Sequence, residues 1–284
     1  ESPLAAFALL RQGQCRLAAG QPAEAATLFA ELLKSHPEST HALAAQLAAG
    51  KCYFEVAKYD DAKKMLAPVL SGGKAKDNEA AEAAYYLARV HLKQEKPEDA
   101  LKVVEPAIAK AGSGELGPYL LSAKADALSR IPQRQGESAA IYQEILSKFP
   151  DHELAAGALY SSAAAFYESK KYEDAQKLAK QFLDNQAYKD HELRPEALFI
   201  AAESQLFNGG QTDEGKRQQA ESLYRQLLQQ FPESERAGRA HLRIAWCLLE
   251  TNKNDEAIKY LSGNTSSFKE AAQKAEAHLM TGQA

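Results

Sequence analysis

Cysteine is scarce and unpaired in this sequence. Cys15, Cys52 and Cys247 are odd in number and far apart, which excludes a disulfide framework and a CxxC metal or redox pair. No apolar run approaches the ~20 residues that span a bilayer, so no segment is expected to insert in a membrane. Positive charge is not in excess: 34 Lys and Arg meet 38 Asp and Glu, a net charge of −4. No basic field therefore exists to attract nucleic-acid phosphates or anionic lipid, and no nucleic-acid partner is expected. The seven histidines form no HExxH or other ligand cluster, and no Ser/His/Asp or Cys/His arrangement can be assembled. A catalytic reading has no residues to stand on; no enzyme activity, metal or cofactor is expected, nor a small-molecule ligand. An initiator Met and a secretory leader are missing too. The opening ESPLAAF reads as that of a processed or trimmed piece whose address lies in removed sequence.

What is present is a folded composition, 45% hydrophobic and 25% charged over 284 residues, enough for a sizeable core in one large or two ordinary domains. It is also periodic. A small residue is followed twelve residues later by Ala at Gly13/Ala25, Gly50/Ala62, Ala88/Ala100, Ala163/Ala175 and Ala245/Ala257. Between each pair lies a turn: AAGQPAEA, VAKYDDA, KQEKPEDA, ESKKYEDA and ETNKNDEA. The acidic cluster before each second mark suits the positive end of a helix dipole. Apolar residues at helical spacing, such as Leu28, Phe29, Leu32 and Leu33, flank the marks. The reading is a series of hairpins of amphipathic helices held close by small residues. A second punctuation recurs between hairpins in KSHPESTHALA (34–44), SKFPDHELAAGA (147–158) and QQFPESERAGRA (229–240). There Pro37, Pro150 and Pro232 stop one helix, and acidic and polar residues such as Glu38 and Ser39 help start the next.

These marks resemble the tetratricopeptide repeat: Gly50, Tyr53, Ala62 and Leu66 in one unit, Gly13, Ala25, Phe29 and Pro37 in another, and Ala163, Phe166, Ala175 and Phe182 in a third. Ala220, Tyr224 and Pro232 close a further unit. The resemblance covers nearly the whole chain and implies an all-α, right-handed solenoid, one domain over 1–284, of about seven hairpins and a trailing helix. The approximate repeats are 5–39, 41–71, 78–111, 116–150, 151–185, 193–234, 235–263 and a partial 268–284. The family period is about 34 residues, whereas Ala25 to Ala62 is 37 and Ala62 to Ala100 is 38, which places extra residues between hairpins in SGGKAKDN (71–78) and AGSGELGP (111–118). Ala175 to Ala220 is 45, which predicts an insertion in the sixth hairpin turn around 208–218. The fourth unit, around SRIPQRQGESAA, fits with a register uncertain by one residue. The last segment reads as the first helix of an eighth repeat with Gly282 at its small mark, so the protein is expected to continue past Ala284.

In this register Cys15, Cys52 and Cys247 all fall two residues after a small mark, where Val90 and Ala165 stand in other units. That is a small buried slot, in which free Cys acts as a small hydrophobe. Gly210, Gly215 and Lys216 in GGQTDEGKR outline a phosphate loop, but Arg217 replaces the magnesium-binding hydroxyl, Asp213 and Glu214 repel phosphate, and a helix precedes it. A solvated turn is the preferred reading. His241 and His278, 37 residues apart, occupy one slot of successive repeats, which packing explains without a metal.

In the family, first helices line a concave face. The offsets that point into it give Gln14, then Leu47, Lys51 and Phe54, then Glu82, Tyr85, Arg89 and Lys93. Further along they give Tyr160, Ala164 and Tyr167, then Arg239, Leu242 and Trp246, the lone Trp. Tyr, Trp and Arg are the favoured interface anchors, so the resemblance implies a scaffold that binds a protein or peptide along that face. The set lacks the Asn that accompanies Lys and Arg in the family's carboxylate clamp. FPES- and FPDH-type punctuation with KYEDA-type hairpins is similar to repeats of bacterial envelope proteins, both outer-membrane assembly lipoproteins and periplasmic Tol–Pal coordinators. This favours the periplasm over the cytoplasm, against which unpaired cysteines argue mildly. The alternative is a repeat segment of a larger enzyme or sensor whose catalytic domain lies outside the chain.

Overall fold

The structure, a computed structural model, describes residues 3–111, 114–210 and 212–284. Gly112 and Ser113 of the AGSGELGP connection and Gln211 of GGQTDEGKR lie outside the described residues. The chain divides into two compact units, Glu1–Leu154 and Ala155–Ala284, each described by itself.

Unit 1 holds four helix pairs: α1 (Pro3–Ala18) with α2 (Pro22–Ser35), α3 (Ala42–Glu55) with α4 (Tyr59–Ser71), α5 (Asp77–Lys93) with α6 (Pro97–Ala111), and α7 (Gly117–Ser129) with α8 (Gln135–Lys148). Unit 2 holds α9 (Ala155–Glu168) with α10 (Tyr172–Asp184), α11 (Arg194–Gln205) with α12 (Glu214–Gln230), α13 (Ala237–Leu249) with α14 (Asn254–Gly263), and then α15 (Ala271–Gln283). The described residues contain no strand, and none of their helices is long and apolar enough to cross a membrane. Helices pack chiefly on their sequence neighbours, and within unit 1 the first helix α5 also touches α3 and α7 directly. Each unit is the all-α series of hairpins that the spacing predicted.

The small marks do what close helix approach requires. A Cβ on Gly13 would lie 2.4 Å from the ring of Phe29, and one on Gly50 would lie 2.6 Å from Leu66. Phe29 and Leu66 are completely buried, as are Ala25 and Ala62 beside them.

Each hairpin closes on one residue in the left-handed region: Gly20, Ala57, Glu95, Gln133, Lys170, Gly209 and Asn252. In five hairpins the following N–H donates to the carbonyl five residues back, as from Gln21 to Arg16 (2.9 Å), Lys58 to Tyr53 (2.8 Å) and Lys253 to Leu248 (3.0 Å). That closure satisfies a carbonyl at the end of the first helix. The left-handed residue stands seven places after the small mark in six hairpins and eight after Ala125 in the fourth, which accounts for the one-residue slip in that unit's register. In the sixth hairpin the mark is Ala202, Gly209 again follows by seven, and the insertion comes after it, since Ala220 is 18 residues from Ala202 instead of twelve.

A left-handed conformation costs an L-residue about 1–2 kcal/mol relative to glycine, while glycine adds roughly 0.4–1 kcal/mol of unfolded-state entropy. Ala57 is exposed, so Ala57→Gly removes no packing. The substitution is expected to raise stability by about 0.5–1 kcal/mol, read from the urea midpoint; a loss of stability would contradict the strain.

The recurring proline punctuation is a recurring geometry. His36, Phe149 and Phe231, each before a proline, end α2, α8 and α12 with φ/ψ of −137/57, −136/55 and −136/61. The ring of a following proline disfavours the helical region for the residue before it. Two residues past each proline a side chain caps the turn: Ser39 Oγ accepts from His41 N (3.2 Å), His152 Nδ1 from Leu154 N (3.2 Å) and Ser234 Oγ from Arg236 N (3.1 Å).

The cysteine slot holds for two of three residues. Cys52 and Cys247 are buried, and burial pushes their thiols up, to about 11 and about 12. Cys15 is exposed, a correction to the sequence reading. Its slot faces backwards along the stack, and among the described residues no hairpin stands before α1 to cover it. Cys15 is therefore expected to take up a thiol reagent readily in the native state, with Cys52 and Cys247 labelled only on unfolding. Native labelling of Cys52 would contradict this packing.

Candidate functional site

In unit 1 the first helices bring five of the sequence-predicted residues together. Lys51 on α3 pairs with Glu82 on α5 at 2.5 Å, both carrying partly exposed side chains. The Arg89 guanidinium lies over two rings, 4.6 Å from the centroid of Phe54 and 5.3 Å from that of Tyr85. These rings belong to a longer ladder that sequence reasoning did not assemble. It runs Tyr59–Phe54 (5.9 Å), Phe54–Tyr86 (5.7 Å), Tyr86–Tyr85 (5.2 Å), Tyr85–Tyr119 (5.6 Å) and Tyr119–His152 (5.1 Å) between centroids. Every ring in it is half-buried. The four contacts from Phe54 to His152 are edge-on, the geometry that suits the ring quadrupoles. Tyr119 donates to the Glu153 carboxylate, which pushes its hydroxyl up to about 12. Lys93 is exposed, and Gln14 is exposed and bonded to Arg11 (3.0 Å).

Unit 2 is organised differently, around Glu203 on α11, which is 2% exposed. Arg243 on α13 meets it with both Nε (2.6 Å) and Nη2 (3.1 Å). The hydroxyls of Tyr167 on α9 (2.9 Å) and Tyr224 on α12 (2.5 Å) donate to it as well. Burial and the adjacent carboxylate push both phenols above their ordinary range. Arg243 also lies over Phe207, which packs with Tyr167 and Tyr172. Tyr167 thus belongs to a buried cluster. Tyr160 is half-buried beside Arg236, and Arg239 is exposed. Trp246 is half-buried, 5.9 Å from Arg217 and packed on the core of α11–α14. Leu242 is 2% exposed, inside a cluster with Ala245, Leu261 and Phe268, so as a contact residue it is corrected to core. Leu47, buried among Leu66 and Leu87, is corrected likewise. Its offset points between adjacent first helices, where an aliphatic side chain is covered.

Two of the residues missed share one place. Asp126 and Glu203 each follow the small mark by one, as Lys51, Arg89 and Trp246 do. Asp126 accepts from the Tyr142 hydroxyl, and burial raises its carboxyl. Applying the offset to the fourth and sixth units would have found both.

The tempting phosphate-loop skeleton is a helix start. Asp213 Oδ1 accepts from Lys216 N (3.1 Å), Lys216 Nζ donates to Asn208 O (2.6 Å), and buried Arg217 donates to Glu250 O (3.0 Å). His241 bonds Tyr260 (2.8 Å) while His278 is exposed, and no group of three metal-ligating side chains gathers among the described residues.

Hairpins of this geometry define a helical-repeat protein. Two family models match: a tetratricopeptide repeat-like domain over residues 4–116 and a tetratricopeptide repeat over 211–279. The chain is a tetratricopeptide-repeat protein. No curated protein matches it. Among solved structures it resembles a tetratricopeptide repeat protein from Parabacteroides merdae, at 12% identity and a TM-score of 0.63, over 98% of this chain and 99% of that one. It resembles PilW, a type IV pilus biogenesis factor, at 16% identity and 0.62, over 81% and 95%. A signal-transduction ATPase with a tetratricopeptide repeat sensor from Pyrococcus horikoshii matches at 14% identity and 0.68, over 98% of this chain but 42% of that one. At these identities the likeness is one of fold.

Proposed function

We propose that the chain is a non-catalytic scaffold that binds an extended peptide or partner segment along the first-helix face of unit 1, within a bacterial envelope complex. The observation that carries this reading is the ladder Phe54–Tyr86–Tyr85–Tyr119 with Arg89 laid across it. Half-buried aromatic rings and Arg are the side chains that anchor interfaces, since they offer large contact area at small entropic cost. The envelope setting draws support from the punctuation of the repeats and from the shared fold of the pilus factor PilW.

The test is capture in native cells by a photo-cross-linker at exposed Lys93, with mass spectrometry of the product. Tyr85→Ala with Arg89→Ala is expected to weaken capture by about 2 kcal/mol or more, roughly thirtyfold, without unfolding the chain. Undiminished capture would sink the assignment of the face, and recovery of the product only in the cytoplasmic fraction would sink the envelope setting.

A further inference from the structure

We infer that the third hairpin of unit 1, α5 with α6, carries a binding site for a small uncharged apolar molecule, independent of the ladder and of the peptide-binding reading. The repeat register points to it. Seven residues after the second small mark, the first, second, fifth and sixth hairpins place Leu32, Val69, Phe182 and Leu227, each at most 1% exposed. The third hairpin places Ala107 there, and Ala107 is only half-buried. Four residues before the first mark, the other six hairpins carry Leu9, Gln46, Leu121, Leu159, Leu198 and His241. The third carries Ala84. This hairpin therefore lacks bulk on both of its helices, at two places that other hairpins fill.

Both alanines line one cavity of about 270 Å³, where α5 and α6 meet the last turn of α4. Its floor is apolar, made by Leu70, Ala81, Ala84, Val103 and Ala107. Its charged lining residues, Asp77, Lys102 and Lys110, are exposed and form the rim. A held water needs two to four polar partners, which the side chains of this floor do not supply. Apolar cavities of about 150 Å³ hold a benzene ring, so one substituted ring or a compact branched hydrocarbon has room.

A hole between packed helices forfeits dispersion contacts along its walls. A ligand that restores them needs the bulk and the chemistry of the missing side chains, aliphatic or aromatic and without charge. The rim does not select a charged ligand. Lys102 is held by Asp99 (2.9 Å), and Asp77 and Lys110 are opposite in sign. A charged group on the floor would lose its hydration and find no partner there.

The experiment uses the full chain and three probes followed by fluorine NMR: 4-fluorotoluene, 4-fluorobenzylamine and 4-fluorophenylacetate. 4-Fluorotoluene is expected to bind saturably, with the protein's methyl shifts centred on Leu70, Ala84, Val103 and Ala107. The ammonium and carboxylate probes should bind about tenfold more weakly or worse. Ala107→Leu installs the residue of the first hairpin; it should abolish binding and raise the urea midpoint, because it fills the same space. Ala107→Val, the residue of the second hairpin, is a smaller step and should weaken binding in the same direction. Absence of saturable binding, shifts centred elsewhere in the chain, or equal binding of the charged probes would overturn the inference. So would binding left intact in a folded Ala107→Leu or Ala107→Val chain. Each of these outcomes leaves the ladder and its cross-linking test standing.

Discussion

Glu203→Ala is expected to destabilise the protein by about 3–5 kcal/mol. The substitution leaves the Arg243 guanidinium without its counter-charge and strands the hydroxyls of Tyr167 and Tyr224, which all converge on this one carboxylate. Removing one member of a buried ionic group is costly because the other members stay desolvated. Trp246 is the only tryptophan and packs in the same core, so its fluorescence reports the transition in urea. Arg243→Met alone should cost a similar amount. The combination Glu203→Leu, Arg243→Met, Tyr167→Phe and Tyr224→Phe should recover most of the loss, since an apolar replacement of the whole group strands nothing. A loss under about 1 kcal/mol for Glu203→Ala would show that the cluster is solvated.

Phe29→Ala is the other large effect, expected at about 3–5 kcal/mol in unit 1. The ring is fully buried and sits where a Cβ on Gly13 would be, so its removal leaves a cavity bounded by Gly13, Ala25 and α3. Gly13→Ala is destabilising on its own because its methyl meets the ring at 2.4 Å. Combined with Phe29→Leu it should cost less than the sum of the two changes, since the smaller side chain makes room for the methyl. Simple additivity, measured by hydrogen exchange in α1 and α2, would contradict direct contact between these positions.

These effects divide along the line between what could be read and what could not. The hairpins were legible because a small residue and an Ala twelve apart are a packing rule written in residue types, as Gly50 against Leu66 shows. The fourth and sixth units were obscure because their spacing breaks the rule, Gln133 following Ala125 by eight residues and Ala220 following Ala202 by 18, so Asp126 and Glu203 were not singled out. Only three-dimensional proximity supplies Tyr142 to one, and Arg243, Tyr167 and Tyr224 to the other. Part of the candidate face was legible too. Lys51, Phe54, Glu82, Tyr85 and Arg89 come together as their offsets implied. Leu242 did not, because an offset fixes direction and not whether a neighbouring helix covers the side chain. Cys15 shows the same gap: it shares the offset of buried Cys52 and Cys247 yet is exposed.

Glu203 also sets an order of events. Most contacts in unit 2 join helices adjacent in sequence, which close short loops and form early. The carboxylate's bonds to Tyr167 and Arg243 span 36 and 40 residues and need α9, α11, α12 and α13 all in place. That junction is expected to close late, after the hairpins have formed, so that Glu203→Ala raises the unfolding rate more than it lowers the folding rate. Within unit 2 the carboxylate would then act as a latch, one expected to lengthen the lifetime of the folded state without slowing its formation.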